Sequence, residues 1–228
     1  MTAAPLHHLF SAEGEATLAV VLRQRPLVAL DFDGTLAPIV PRPEDARPSQ
    51  AVSARLAQLA GLLPVAIVTG RRVADVRSRL GFEPRFIVGN HGAEDEGLVP
   101  DEAALAVMAD LRARMAAQGP ALQAIAALLA ERDEALRVFG GKLVVNVAPR
   151  HAPDKAQAVR SLMQRAGTTA LVYAGDDVND EPVFEAVQPG WLTVRVGRDD
   201  PRSRAMFCLD SPGQMPLLLD RMLALLAR

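Results

Sequence analysis

Residues 27–36 read LVALDFDGTL. An apolar run leads straight into two aspartates one position apart, then a glycine and a threonine. A continuous apolar run, as opposed to an alternating one, suits a strand covered on both faces. A buried unpaired carboxylate is costly. A core strand that ends in two acids therefore needs a partner that neutralises them.

Similar runs recur along the chain: PVAIV (64–68), RFIV (85–88), ALVYA (170–174), WLTVRV (191–196) and AMFCL (205–209). Helical patterns lie between them, over 49–60 after Pro48-Ser49, over 72–80 and over 154–166. Strands alternating with helices imply βαβ units and a parallel sheet with right-handed crossovers. Residues 37–49, APIVPRPEDARPS, carry four prolines and predict a stiff loop after the first strand. The middle differs. Residues 101–137 read as two helices broken at Gly119-Pro120, and ALRVFGGKLVVNV (135–147) reads as a hairpin turning at Gly140-Gly141. His7 and His8 read as tail residues, and MPLLLDRMLALLAR (215–228) as a closing amphipathic helix. The expectation is an α/β protein with a Rossmann-like parallel-sheet core over 1–92 and 151–228. A small α/β cap over 93–150 is inserted after the third strand.

The 228 residues are half apolar and 23% charged, which fits a soluble globular protein. A net charge of −2 gives no basic field for nucleic acid. One cysteine, Cys208, excludes an intramolecular disulfide and fits a reducing compartment. The start MTAAPLHHLF lacks the pattern of a signal peptide, and no apolar run is long enough for a membrane span. A cytoplasmic protein is expected, without nucleic-acid or membrane partners, and as a monomer.

Ligands of open parallel sheets bind beyond the carboxyl ends of the strands. The runs here end in Asp31-Phe32-Asp33-Gly34-Thr35, Thr69-Gly70-Arg71, Gly89-Asn90-His91-Gly92 and Gly175-Asp176-Asp177-Val178-Asn179-Asp180. A parallel sheet brings all four to one edge. Asp31, Asp33 and Asp176 then repel one another unless a hard cation such as Mg²⁺ takes their oxygens. Thr69 offers a hydroxyl to a phosphate oxygen and Lys155 a fixed positive charge. Carboxylates, Mg²⁺, a hydroxyl and a lysine make a phosphoryl-transfer site. No GxxxxGK[ST] motif is present, which excludes a P-loop NTPase. In this reading Asp31 attacks phosphorus, while Asp33 protonates the leaving oxygen and then activates water.

The ordered set DFDGT, Thr69, Lys155 and GDDVND resembles the haloacid dehalogenase superfamily. Within it, LDFDGTLAPIVPRPEDARPS, VAIVTGR, GNHGAE, KLVVNVAPR and YAGDDVNDEPVF resemble the trehalose-6-phosphate phosphatase family over about residues 27–200. The resemblance implies Mg²⁺-dependent hydrolysis of trehalose 6-phosphate. It implies Asp31, Asp33, Thr69 and Lys155 as catalytic residues, and Asp31, Asp33, Asp176 and Asp180 around the metal. Asp180 orients Lys155 or a metal-bound water. Gly70, Arg71, Asn90, His91 and Gly92 are the expected substrate contacts. The insert is shorter than the family's usual cap, and Asn146, Ala148 and Ala156 replace Glu, Lys and Gly at family positions. A shorter cap implies a more open site and weaker discrimination between sugars. Two alternatives stand beside this reading. One is a phosphatase of the same kind for another phosphosugar, such as a glucosylglycerol, sucrose or mannosyl-glycerate phosphate. The other is a non-catalytic phosphosugar-binding protein.

Overall fold

Every apolar run expected as a strand contains one. The computed structural model describes residues 6–95, 106, 136–141, 144–151 and 153–227. The described residues hold ten strands: β1 (His7–His8), β2 (Leu27–Leu30), β3 (Val65–Val68), β4 (Phe86–Gly89), β5 (Glu94–Asp95), β6 (Leu136–Gly141), β7 (Val144–Pro149), β8 (Leu171–Gly175), β9 (Trp191–Val196) and β10 (Phe207–Leu209). The helices are α1 (Ala12–Arg23), α2 (Gln50–Ala60), α3 (Val73–Leu80), α4 (Lys155–Ala166), α5 (Glu181–Glu185) and α6 (Met215–Leu226). Eight strands form one sheet in the order β1-β10-β9-β8-β2-β3-β4-β5. All its pairs are parallel except β4 with β5.

Alternation along each strand builds two apolar layers. Val28, Leu30, Ile67, Val172 and Val194 share one layer with side chains of α1, α2, α3 and α6. Leu27, Ala29, Val68, Leu171 and Tyr173 share the other with α4 and α5. Both faces of β2 are therefore buried, which is why its sequence shows no polar alternation. The same alternation carries past its end. Phe32 enters the first layer, and Asp31 is buried at the end of the strand.

Two expectations are corrected. His7 and His8 pair in parallel with Phe207 and Cys208, so they form the edge strand of the sheet, not a tail. A two-residue strand carries too little periodicity to be read from sequence. Gly140 and Gly141 pair with Val145 and Val144, so the hairpin reverses after the glycines and not at them. The pair of helices expected over 101–137 lies outside the described residues. The core sheet continues through Glu94–Asp95, and β6 and β7 form a separate two-stranded sheet. Trp191 is core, and α6 buries Met215, Leu218, Leu219 and Met222, as an amphipathic closing helix requires.

Helix α4 begins with a capping box. Asp154 accepts from the Gln157 amide at 2.8 Å, and the Asp154 amide donates to Gln157 Oε1 at 3.1 Å. Lys155 is the first residue of that helix, so the cap sets where its side chain starts. Asp154→Ala should lower stability by about 1 kcal/mol. A urea midpoint equal to that of the wild type would show that the cap contributes nothing.

Candidate active site

The turn after β2 is tight. The amides of Leu36 and Ala37 both donate to the Phe32 carbonyl at 2.9 Å, and the Gly34 amide donates to the Ala37 carbonyl at 2.8 Å. Gly34 has φ of 76°, a left-handed conformation that glycine adopts without cost. A side chain there would also place Cβ 2.1 Å from Asp176 Oδ2. Glycine at 34 thus lets the first-strand turn press against the acid that follows β8. Strands β2 and β8 are neighbours in the sheet, so Asp31 and Asp176 leave adjacent strand ends.

Asp31, Asp176 and Asp180 are all buried, and each offers a carboxylate oxygen within 4.8 Å of the others. Lys155, only 3% exposed, donates from Nζ to Asp31 Oδ1 at 2.9 Å and to Asp180 Oδ1 at 2.7 Å. The Tyr173 hydroxyl donates to the same Asp180 oxygen at 2.6 Å, and the Asp177 amide donates to Asp180 Oδ2 at 2.9 Å. Both oxygens of Asp180 are therefore engaged within the protein. Burial pushes the Asp31 carboxyl well above its usual range, with Asp180 and Asp176 adding to the effect against Lys155. Burial alone would depress Lys155, but Asp180 and Asp31 outweigh it and hold the ammonium above its ordinary value. Among the described residues, Lys155 bonds two of these three clustered, buried carboxylates. A divalent cation fits that imbalance, and the donor set is all oxygen, as a hard ion prefers.

Thr69 closes β3. Its Oγ1 accepts from the Arg71 amide at 3.1 Å, which leaves the hydroxyl proton available to an anion. The turn after β4 is stitched to the turn after β3. The His91 amide donates to the Thr69 carbonyl at 2.9 Å, and the Asn90 amide to the Arg71 carbonyl at 2.8 Å. Asn90 and His91 have φ of 49° and 57°, an uncommon conformation for residues with side chains. His91 packs where a Cβ on Gly70 would stand, 2.5 Å from its ring, so Gly70 is what admits the imidazole.

A cavity of about 500 Å³ opens over these residues. Asp31, Asp33, Gly70, Arg71, His91, Lys155 and Asp176 line it together. Thr69 and Asp180 are buried beside their partners and are not in its lining. Asn90 and Gly92 are not in it either: the Asn90 side chain donates to Glu94 at 2.8 Å, and a Cβ on Gly92 would meet the Pro153 carbonyl. The carboxylate of Asp33 is turned to Arg71, which grips both its oxygens at 2.7 and 2.8 Å. Three contributors were given no role from the sequence. Tyr173 lies inside an apolar run, where only the need of a buried hydroxyl for a partner hinted at a role. Thr35 reaches Asp176 at 3.5 Å. Part of the cavity wall comes from the proline loop, with Ile39, Val40, Pro41 and Pro43.

This sheet order, with acids beyond β2 and β8, defines the haloacid dehalogenase class of α/β fold. A solved haloacid dehalogenase-like hydrolase from B. subtilis is similar in fold, with a TM-score of 0.55, at 18% identity over 86% of this chain and 98% of that one. The particular likeness is narrower. Residues 29–98 match the family Trehalose-phosphatase. A trehalose-phosphate phosphatase of Mycobacterium marinum is 32% identical over 84% of this chain and 60% of its own length. The C-terminal domain of C. albicans trehalose-6-phosphate phosphatase superposes with a TM-score of 0.75, at 20% identity over 100% of this chain and 99% of that one. The chain is thus similar to trehalose-phosphate phosphatases in sequence and to haloacid dehalogenase-like hydrolases in fold. It spans about 60% of the length of the Mycobacterium marinum and Mycobacterium ulcerans trehalose-phosphate phosphatases it matches.

A divalent cation should stabilise the fold by about 2.7 kcal/mol when it is a hundredfold above its Kd. Differential scanning fluorimetry with Mg²⁺ should show that rise in Tm for the wild type. The rise should vanish in Asp176→Asn and shrink in Gly34→Ala. An equal rise in all three would place the cation elsewhere.

Proposed function

We propose that this chain hydrolyses a sugar phosphate monoester, with trehalose 6-phosphate as the foremost substrate, through an aspartyl-phosphate on Asp31. The observation that carries the reading is the junction of Asp31, Lys155 and Asp176 at one sheet edge, under a cavity large enough for a sugar. Core and cap are proposed at 1–92 with 151–228 and at 93–150.

The proposed chemistry divides between two acids. An oxygen of Asp31 attacks phosphorus, and the bond from phosphorus to the sugar oxygen breaks. Asp33 gives its proton to that oxygen. Water then attacks the phosphoryl group, Asp33 takes the water proton, and the bond from Asp31 to phosphorus breaks. The Thr69 hydroxyl and the third Nζ proton of Lys155 are donors for the equatorial phosphate oxygens, whose charge grows in the transition state. Asp31 and Asp176, with the backbone carbonyl of Asp33, would hold Mg²⁺, which supplies charge neutralisation. Asp180 serves by fixing Lys155, consistent with its engaged oxygens. Gly70 and His91 line the cavity and are proposed as substrate contacts, with Asn90 and Gly92 shaping the turn that presents His91. The partner is a phosphorylated sugar. Among the described residues no helix is long and apolar enough to cross a membrane.

The test is a panel of phosphate esters with Mg²⁺ or EDTA. Trehalose 6-phosphate should be turned over faster than generic small esters, and EDTA should stop turnover. Asp31→Asn should lower kcat by at least about 10⁴-fold, given what a positioned nucleophile supplies. Phosphate release that survives Asp31→Asn would falsify the covalent route. Equal rates on all esters would overturn the substrate assignment and leave the hydrolase reading standing.

A further inference from the structure

Arg71, an expected substrate contact, lines the cavity, and four of its five guanidinium N–H donors are engaged within the protein. Four hydrogen bonds leave it: Nε to Asp33 Oδ2 at 2.7 Å, Nη2 to Asp33 Oδ1 at 2.8 Å, Nη1 to Asp75 Oδ2 at 2.8 Å and Nη2 to the Pro43 carbonyl at 2.8 Å. Its carbon end lies 5.3 Å from the centre of the Phe32 ring, and the side chain is 12% exposed. Asp33 itself is 42% exposed, so without this grip its carboxylate would rotate in solvent.

The grip belongs to a closed ring. Asp75, one helical turn further on, holds Arg71 with one oxygen and Arg79 with the other. Arg79 in turn donates to the Glu44 carbonyl, next to Pro43 in the proline loop. The ring thus runs from the proline loop through Arg79, Asp75 and Arg71, and back to the loop at Pro43. Asp33 hangs from it at Arg71. A bidentate arginine–carboxylate pair fixes orientation as well as distance. The proline loop is also one wall of the cavity.

We propose that Arg71 is the positioning residue for Asp33, and that the ring through Asp75 and Arg79 makes the proline loop and the proton-transfer group one mechanical unit. A leaving group seated against the loop wall is thereby brought into register with the acid that must protonate it. The inference rests on the reading of Asp33 as the group that protonates the leaving oxygen.

The ester dependence of kcat/KM tests it. This quantity covers steps only up to loss of the first product, where Asp33 acts as the acid. A sugar alkoxide needs that proton, whereas 4-nitrophenolate leaves without it. Arg71→Ala should therefore cost ~100-fold in kcat/KM on trehalose 6-phosphate and only ~3-fold on 4-nitrophenyl phosphate, the gap reflecting what a positioned general acid supplies. Arg71→Lys keeps a charge but cannot grip both oxygens, so it should behave like the alanine variant. Asp75→Asn touches neither the cavity nor Asp33. It should lose ~5-fold on the sugar ester alone, a fraction of the same general-acid effect. Amide exchange at Asp45 and Ala46 in the loop should also quicken in Asp75→Asn. Equal losses on both esters, an Arg71→Lys enzyme equal to wild type, or unchanged loop exchange would each overturn the proposal. Should Arg71→Ala not fold, Asp75→Asn carries the same comparison. A wild type inert toward every ester overturns the function and this inference together, whereas equal losses in the variants overturn the inference alone.

Discussion

The contact on which this structure turns is the buried ammonium of Lys155 between Asp31 and Asp180. It joins the first turn of α4 to the ends of β2 and β8. Breaking such a group by removing one partner leaves an uncompensated charge in low dielectric, which costs far more than the pair is worth. The arrangement is stable only while all its members are present. That requirement sets the position of α4 along the sheet, and with it the depth of the cavity floor.

Strand parity decides which environment each acid enters. Asp31 continues the face of Leu27 and Ala29, the layer that α4 covers, and so meets Lys155. Phe32 takes the opposite face and anchors the turn in the other layer. Asp33 would follow Asp31 in an extended chain, but the turn at Gly34 brings it to the cavity rim, where Arg71 receives it. Two identical side chains one position apart thus enter different environments: one is buried against a lysine, and the other half-exposed in an arginine fork. Under the proposed chemistry, these different environments are what separate a nucleophile from a proton-transfer group of the same residue type.

The sheet was legible because its strands are buried on both faces and bounded by turns, so each appears as an uninterrupted apolar run. The acids were legible because they sit where such runs stop. Other features have no such mark. The His7–His8 edge strand is too short for periodicity, and its pairing depends on β10, about two hundred residues away. Tyr173 counts as apolar in a run of apolar residues, although its hydroxyl is the second donor to Asp180 Oδ1. Of the partners of the Arg71 side chain, Asp75 stands at the local i+4 spacing, but Asp33 and the Pro43 carbonyl come from segments distant in sequence. The proline loop was recognised as stiff, but which way it folds over the acids depends on contacts with α3. Sequence order thus located the acids and the lysine that meet at the sheet edge but not the groups that hold them.

The turn at Asn90–Gly92 has a meaning beyond the site. The chain leaves the sheet edge within a few residues of Gly92 and returns at Pro153, and the two segments are in backbone contact, closely enough that any side chain at 92 would strike the Pro153 carbonyl. Everything between departs from and comes back to nearly one point. The entropic cost of closing such an excursion grows only with the logarithm of its length. The core therefore offers a socket: segments of very different size can be seated there without altering sheet order or the acid–lysine contact. Divergence in what is recognised can proceed on one side of that socket while the chemistry on the other side stays fixed.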